Sequence, residues 1–339
     1  MITISKKYKE EIKQVCSAAS NKSHIQALEN IYISASPDGI VILKAGDSLV
    51  EITRMIVADN FESGFTTTVN ATKFIQSFNA CSGDVDIIVK DDMVIKSGRR
   101  KFTLPTVSAD AYPSYPEMDE CKTIECDNFI EKIKTVAWAS AQDDARYQLN
   151  GIYVGNHAVA TNGHKMSMIK LDAETSIIIP IESIKKLPII DSYTVSYSEN
   201  VISIRTDDME FKTKLVDANF PDYNRVIQSP NKYVTVNSVD FIDAVKASSV
   251  LADSKSKTVI FTFGGESKVE SASGDKRESS SIGFDCDSEH DEFQFACNSS
   301  YLLDLLSSVS SDVLNIGFTD QQMIITQNDQ TSLIMRVKI

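Results

Sequence analysis

The sequence predicts an α+β fold in which a small strand-and-helix unit recurs six times within three tandem domains. Six short β-rich runs each end in a residue that can start a helix, and an amphipathic stretch of about ten residues follows each run. The six start positions lie 53 to 65 residues apart in the 339-residue chain. Regular spacing over six copies indicates duplication of one unit.

The predicted helix starts share a chemical reason. Five of them are side chains whose oxygen can accept hydrogen bonds from the free backbone N–H groups of a first helical turn: Ser5, Asn70, Asp127, Asn237 and Asn298. Pro180 is predicted at the first helical position of the fourth helix, because it has no N–H to leave unpaired. Apolar residues at helical spacing follow each start and predict one buried stripe per helix.

Three stretches alternate apolar and polar residues around turn signals, as antiparallel meanders do. They span residues 84–106, 193–215 and 312–339, and each follows an even-numbered helix. Two helical units and their strands therefore form one domain. Proline-containing segments at 112–117 and 228–231 mark the boundaries, which gives domains 1–118, 119–230 and 231–339.

Composition narrows the class of protein. A hydrophobic share of 42% and a charged share of 24% are typical of globular chains, and no run of 18 apolar residues could span a bilayer. The first residues have no export signal, and the six cysteines are scattered. We expect a cytoplasmic protein with reduced thiols and no membrane partner. The net charge of -13 disfavours nucleic acid without excluding a basic face.

Catalytic, cofactor and metal sites are not predicted. Neither of the glycine-rich phosphate-binding patterns, GxxxxGK[ST] and GxGxxG, occurs, and the four histidines have no metal-ligand spacing. Two of the three Asp-Asp pairs fall at predicted hairpin turns, where aspartate forms local hydrogen bonds. An enzyme would depend on Asp143 or His164, and no acid-base pair supports that hypothesis.

Lysines on the predicted helices allow two interpretations. They could form a cationic layer facing a phosphate backbone, or they could be the solvated faces of ordinary amphipathic helices. On charge alone the second interpretation is favoured, because acidic residues are interleaved with them. The lysines concerned are Lys6, Lys7, Lys9, Lys13, Lys73, Lys132, Lys134, Lys185, Lys186 and Lys246.

Several segments resemble, in the same order, the sliding clamp of bacterial replicative DNA polymerase, its beta subunit. They are SGRRKF at 97–102, RYQLNG at 146–151, ATNGHK at 160–165, FPDYNRV at 220–226 and the tail MRVKI at 335–339. The resemblance implies three tandem clamp domains and a closed ring formed by a head-to-tail homodimer around duplex DNA. The implied function is to tether the replicative polymerase and other factors without catalysis or cofactors.

The resemblance also implies site residues. Polymerase and clamp loader would bind by a linear peptide motif in a pocket formed by Leu149, Thr161, Gly163, His164, Lys165, Met166, Pro221, Arg225, Val226, Leu333, Met335 and Val337. Residues implied to face DNA are Lys22, Lys73, Arg99, Arg146, Tyr147 and Gln148. The implied dimer interface pairs edge strands bearing Phe102 and Leu104 on one side and Val250 and Leu251 on the other.

The chain departs from the family pattern at the pocket. Asn162 stands where aspartate is usual, Lys165 where arginine is usual, and Arg336 with Lys338 replaces a proline-containing tail. These departures indicate a divergent or phage-encoded member whose pocket is narrower or more cationic. An alternative function remains open at this point, a clamp-like scaffold that binds protein partners without encircling DNA.

Overall fold

The computed structural model describes residues 1–113 and 115–338. Ser114, in the first predicted linker, and Ile339, at the end of the predicted tail, lie outside the described residues. The helices are α1 Lys9–Ala18, α2 Ala71–Ala80, α3 Phe129–Val136, α4 Ile181–Lys186, α5 Ser238–Ser249 and α6 Ser299–Ser307.

The strands are β1 Ile2–Ile4, β2 Asn30–Ala35, β3 Ile40–Gly46, β4 Val50–Val57, β5 Asn60–Phe61, β6 Phe65–Asn70, β7 Val85–Val89, β8 Asp92–Ser97, β9 Arg100–Pro105, β10 Lys122–Ile124, β11 Gly151–Val154, β12 His157–Thr161, β13 Lys165–Lys170, β14 Ile177–Pro180, β15 Thr194–Tyr197, β16 Val201–Arg205, β17 Met209–Lys214, β18 Lys232–Asn237, β19 Thr258–Phe263, β20 Lys268–Ala272, β21 Ser279–Gly283, β22 Cys286–Asp287, β23 Phe293–Asn298, β24 Val313–Phe318, β25 Gln322–Gln327 and β26 Gln330–Met335.

The first compact unit contains residues 1–125 and 182–215. Its five-stranded sheet has the order β5-β1-β7-β8-β9, and its eight-stranded sheet has the order β10-β15-β16-β17-β4-β3-β2-β6. Helix α1 packs on β3, β4 and α2. Fully buried side chains on one face of each helix belong to the core of this unit, among them Ile12 of α1 and Phe74 and Phe78 of α2.

The second compact unit contains residues 126–181 and 216–339. Its nine-stranded sheet has the order β14-β11-β12-β13-β26-β25-β24-β18-β22, and its four-stranded sheet has the order β21-β20-β19-β23. Helices α5 and α6 pack together, and α3 packs on β12 and β13. Buried aromatic rings fill the core under α5, with Phe241 stacked on Phe261 at 5.4 Å between centroids.

All three predicted meanders are confirmed. They are the antiparallel sets β7-β8-β9, β15-β16-β17 and β24-β25-β26. Each depends on short turns between sequence neighbours, so alternation along the chain was sufficient to predict it. Among the described residues, no helix is long and apolar enough to cross a membrane.

Four of the six predicted helix starts have the expected cap. Asn70 accepts from the N–H of Lys73, Asn298 accepts from that of Tyr301, and Asn237 accepts from two N–H groups of the first turn. Ser5 accepts from the N–H of Lys7 at the start of a short 3-10 turn that leads into α1.

The other two helices begin differently from the prediction. Asn128, one residue after the predicted Asp127, directly precedes α3 in a left-handed conformation, with φ of 56°, and makes no side-chain cap hydrogen bond. Pro180 is not the first helical residue, because it remains extended as the last residue of β14, opposite Gly151. Helix α4 then begins at Ile181.

Candidate functional site

An apolar cluster lies in the second unit where β12, β13, β25 and β26 come together. Its buried members are Val159, Met166, Ile324 and Leu333. Its partly exposed members are Tyr153, Met168, Phe220, Tyr223, Ile227 and Met335. The structure therefore brings together three of the implied pocket residues, Met166, Leu333 and Met335. An apolar surface with flexible methionines and partly exposed rings can accept the apolar anchors of a peptide.

Three aromatic residues of the apolar cluster were missed by the sequence analysis. Tyr153 stacks on Phe220 with ring centroids 5.2 Å apart, and Tyr223 lies 5.8 Å from Tyr153. The Tyr223 hydroxyl also contacts Nδ1 of His157 at 3.2 Å. Burial raises the pKa of Tyr223, with smaller contributions from Tyr153 and Asp222. Phe220 and Tyr223 belong to the FPDYNRV motif, so the motif contained a usable signal.

The turn between β12 and β13 is held by its own side chains. Thr161 donates to the carbonyl of Lys165 at 2.8 Å, and Asn162 Oδ1 accepts from the N–H groups of His164 and Lys165. The amide oxygen of Asn162 thus accepts the same hydrogen bonds that the carboxylate of an aspartate, the usual residue at this position, could accept. Gly163 adopts a φ of +88°, which L residues with a side chain rarely adopt.

This turn is also attached to the end of β26. The backbone N–H of Met335 donates to the carbonyl of His164 at 2.8 Å. The imidazole of His164 is exposed at the surface, with no hydrogen bond among the described residues. His164 therefore contributes its backbone to the rim beside Met335.

Gln322 is a further residue that the sequence did not mark. It is buried, and its amide donates to the carbonyl of Val226 at 2.6 Å and accepts from the N–H of Gln228 at 3.3 Å. The same amide approaches Sδ of Met335 at 3.7 Å. Gln322 thus fixes the segment after the FPDYNRV motif against β25 and β26. No local pattern distinguishes it from other strand glutamines.

The remaining pocket residues differ in position. Pro221, Arg225 and Val226 are exposed beside the apolar cluster, and Arg225 pairs with Asp222 at 3.0 Å. Leu149 is buried but is not a member of the apolar cluster. Val337 is half-buried, and its N–H donates to the carbonyl of Ala296 at 2.8 Å.

Lys165, an implied pocket residue, lies on the face of β13 opposite to Met166. Successive side chains of a strand point to opposite faces, so Lys165 and Met166 have different surroundings. Lys165 is 6% exposed, and its ammonium pairs with Asp304 at 3.0 Å. It also lies 5.1 Å from the ring of Trp138 and 4.9 Å from that of Tyr301.

The residues implied to face DNA lie in both units. In the second unit, Arg146 forms an ion pair with Asp144 at 2.9 Å and donates to the carbonyl of Asn162, while Tyr147 is 58% exposed and Gln148 is half-buried. Hydrogen bonds from Arg146 lower the pKa of Asp144 to about 2. In the first unit the implied residues are exposed: Lys22, Lys73 and Arg99.

Lys6 and Lys186, two of the helix lysines, donate to backbone carbonyl groups at helix ends. Lys6 donates to the carbonyls of Phe78 and Cys81 at the end of α2, both at 2.7 Å. Lys186 pairs with Asp47 at 2.6 Å and donates to the carbonyl of Ala18. These contacts are typical of cations at helix C-termini, where carbonyl groups lack partners.

Of the two implied pairs of interface residues, only one lies on the edge strand of a sheet. Phe102 and Leu104 lie on β9, the edge strand of the five-stranded sheet. Val250 and Leu251 are not on a strand: they follow the end of α5, and Val250 is 76% exposed. The edge strands of the four-stranded sheet are β21 and β23. The expectation of an edge strand bearing Val250 and Leu251 is therefore wrong.

Comparison with family models covers almost the whole chain. Residues 2–116 match the N-terminal domain of the DNA polymerase III beta subunit, residues 123–222 match its central domain, and residues 225–337 match its C-terminal domain. The three matches occur in the order of the family.

Individual proteins give the same picture. The chain is 26% identical to the beta sliding clamp of Haemophilus influenzae, over 91% of this chain and 90% of that protein. It is also 26% identical to that of Escherichia coli K12, over 95% and 93%. Among solved structures, the sliding clamp of Bartonella birtlesii bound to griselimycin has a TM-score of 0.92 at 26% identity, covering 100% of this chain and 99% of that one. The chain belongs to the family of DNA polymerase III beta subunits, the beta sliding clamps.

Proposed function

We propose that two copies of this chain close head to tail into a ring around duplex DNA and tether the replicative polymerase to it. The observation that carries this proposal is the ordered match of three clamp domains along the chain. In this role the chain is a non-enzymatic, cytoplasmic protein. Its domains are residues 1–118, 119–230 and 231–339.

Ring closure uses one edge from each end of the chain. We propose that β9, with Phe102 and Leu104, contacts the surface of the partner subunit that bears Val250 and Leu251. The main-chain groups of β9 and of the edge strand β21 are available for pairing across this interface. A head-to-tail contact of this kind gives a closed ring when its rotation closes.

Contacts with DNA in the ring are weak and independent of sequence. They are assigned to Lys22, Lys73, Arg99, Arg146, Tyr147 and Gln148, most of which are exposed. Cations near phosphates supply non-specific affinity, and the chain's net charge of -13 disfavours DNA binding elsewhere on the surface. Retention then depends on topology rather than on affinity.

Polymerase and clamp loader are proposed to bind at the apolar cluster through a linear peptide. Met166, Leu333 and Met335 supply the floor, and Tyr153, Phe220 and Tyr223 supply partly exposed rings. Leu149, Thr161, Gly163, His164, Pro221, Arg225, Val226 and Val337 form the proposed surroundings of this site. A few anchor side chains in such a site supply most of the binding energy.

A plasmid experiment tests the ring. Light scattering should give a mass near twice 37.5 kDa, and protein loaded on nicked circular DNA should stay bound through gel filtration. Cutting the plasmid should release the protein, because a ring slides off a free end. Release without cutting, or a strictly monomeric mass, contradicts the proposal. Retention after linearisation would favour direct binding instead of encirclement.

Mutation of the peptide site gives a second test. Met335→Ala removes a half-buried side chain of the apolar cluster, so a polymerase-derived peptide should bind about tenfold more weakly, with the dimer intact. Leu149→Ala should also weaken binding. Fluorescence anisotropy measures the affinity, and Met55→Ala, at an exposed position on β4 in the first unit, is the control. Unchanged affinity in both pocket variants would remove these residues from the site.

A further inference from the structure

A cavity at the chain's tail adjoins the apolar cluster. It has a volume of about 620 Å³ and is lined by Asp320, Gln321, Met335, Arg336 and Lys338. Met335 belongs both to this tail cavity and to the apolar cluster. A peptide that is anchored in the apolar cluster and continues past Met335 would enter the tail cavity.

The guanidinium of Arg336 is held in a fixed position there. It donates to the carbonyls of Asp320 at 3.4 Å and Gln294 at 3.2 Å, and it lies 5.9 Å from the ring of Phe295. The backbone N–H of Arg336 also donates to the carbonyl of Gln321 at 2.7 Å. A guanidinium has five N–H donors, so donors remain for a ligand. Because the group is already ordered, less conformational entropy is lost on binding.

Charge in the tail cavity favours an anion. Arg336 and Lys338 are exposed, and neither forms an ion pair with a carboxylate of the described residues. Asp320 is the one carboxylate among the described lining residues. The described lining thus contains two cations and one anion. The two cations occupy positions where the family tail usually has a proline-containing sequence.

We propose that the tail cavity selects partner peptides that have an acidic residue next to their apolar anchors. The inference rests on the proposed peptide site and assigns its specificity to Arg336 and Lys338. Arg336 can receive a carboxylate through two parallel N–H donors, whereas Lys338 contributes a point charge. The peptide's apolar anchors supply affinity, and the acidic residue distinguishes among partners.

A set of three peptides tests this specificity. All contain the same leucine and phenylalanine anchors. One has two aspartates before the anchors, one has them after the anchors, and one has asparagines at both places. Exposed ion pairs give small free energies, so we expect one acidic peptide to bind about three to ten times more tightly than the neutral one at low salt. Higher salt should reduce this ratio.

Substitutions of Arg336 and Lys338 test whether the tail cavity causes the difference in affinity between acidic and neutral peptides. Arg336→Gln combined with Lys338→Gln should bring the ratio of affinities to within about twofold of one. Arg336→Lys should keep part of the preference, because the charge stays although the two-donor geometry is lost. Lys276→Gln combined with Arg277→Gln makes the same charge change on the exposed β20–β21 turn, and it should leave the ratio as in the unaltered protein.

Three outcomes overturn the inference. Equal binding of acidic and neutral peptides by the unaltered protein removes the selectivity. If Lys276→Gln combined with Arg277→Gln lowers the ratio of affinities as much as the tail substitutions do, the preference depends on net charge and not on the tail cavity. Failure of all three peptides to bind removes the peptide site itself, and the plasmid experiment then decides separately whether the protein is a ring.

Discussion

At the scale of single residues, the neighbours Lys165 and Met166 have different surroundings and different roles. The ammonium of Lys165 lies among Asp304, Trp138 and Tyr301, whereas Met166 belongs to the apolar cluster. The ion pair has an exposed partner, so its Coulomb energy is modest. Most of the stabilisation by Lys165 comes from its buried stem and from the two aromatic rings.

Removing the Lys165 side chain should therefore destabilise the second unit, because these packing contacts are lost. We expect Lys165→Ala to lower the free energy of unfolding by about 1–3 kcal/mol, and Lys165→Met to lower it less, because its stem still packs. Urea titration followed by fluorescence of Trp138, the chain's single tryptophan, measures the loss locally.

Lys170→Ala is the matched control, because Lys170 is on the same strand but is exposed. It should change the free energy of unfolding by less than about 0.5 kcal/mol. Equal effects of the alanine substitutions at positions 165 and 170 would contradict the role given to Lys165.

The residue scale is also where sequence reasoning was least complete. Asp127 and Asn128 are adjacent and both can precede a helix, and the chain places Asn128 in a left-handed conformation that asparagine tolerates. A local rule cannot decide between such neighbours. Lys165 was assigned by resemblance to a pocket, and only the strand's alternation and its pairing with β26 determine which face it occupies.

At the scale of elements, the end of α4 is attached to the turn between β3 and β4 through Asp47. This carboxylate accepts from Lys186 at 2.6 Å and from the N–H groups of Leu49 and Val50. Burial acts to raise the pKa of Asp47, but the hydrogen bonds from Lys186, Leu49 and Val50 outweigh it, and the pKa lies below its ordinary value of 3.8. The first unit is thereby stabilised most when Asp47 is ionised.

A pH series should reveal this contact. A depressed folded pKa gives stability that is present above the unfolded pKa and is lost as the pH falls through the folded pKa. At pH 7 the free energy of unfolding of Asp47→Asn should be about 1–2 kcal/mol lower than that of the unaltered protein. This difference should narrow below about pH 4. Urea unfolding followed by circular dichroism measures both values.

Lys186→Met should behave in the same way, because it removes the other half of the pair. A difference that stays constant from pH 7 to pH 3 in both variants would contradict the contribution assigned to the ionised carboxylate.

The elements themselves were largely predictable, and their assembly was not. Helix stripes and meanders depend on residues close in sequence, so periodicity was enough to locate them. The pairing of β17 with β4, as in Phe211 opposite Ile52, joins strands more than 150 residues apart. The pairing of β13 with β26 is equally distant. Such registers are set by packing of whole sheets, which no single stretch of sequence encodes.

At the scale of the whole molecule, the proposed ring depends on an interface in which Val250 is an accessible test position. Its side chain is 76% exposed, so an aspartate there should not disturb the fold of the subunit. Burying that charge in a dimer contact would be costly. We expect Val250→Asp to weaken dimerisation about 100-fold or more and to abolish retention on circular DNA.

Ile189→Asp, at a position that is 73% exposed, is the control and should leave both mass and retention unchanged. Analytical ultracentrifugation over a concentration series gives the dimer dissociation constant. A dimeric Val250→Asp protein that is still retained would exclude this surface from the interface.

The turn from Thr161 to Lys165 constrains how this protein can evolve. Met166 lies opposite Leu333 in the register of β13 with β26, and the neighbouring pair is Lys165 with Ile334. With β12 in place, inserting one residue in the turn would move β13 by one position and put Lys165 in the apolar cluster, and deleting one residue would put Met166 beside Asp304. Substitutions in the turn can therefore accumulate, as Asn162 illustrates, whereas its length should stay fixed among functional variants.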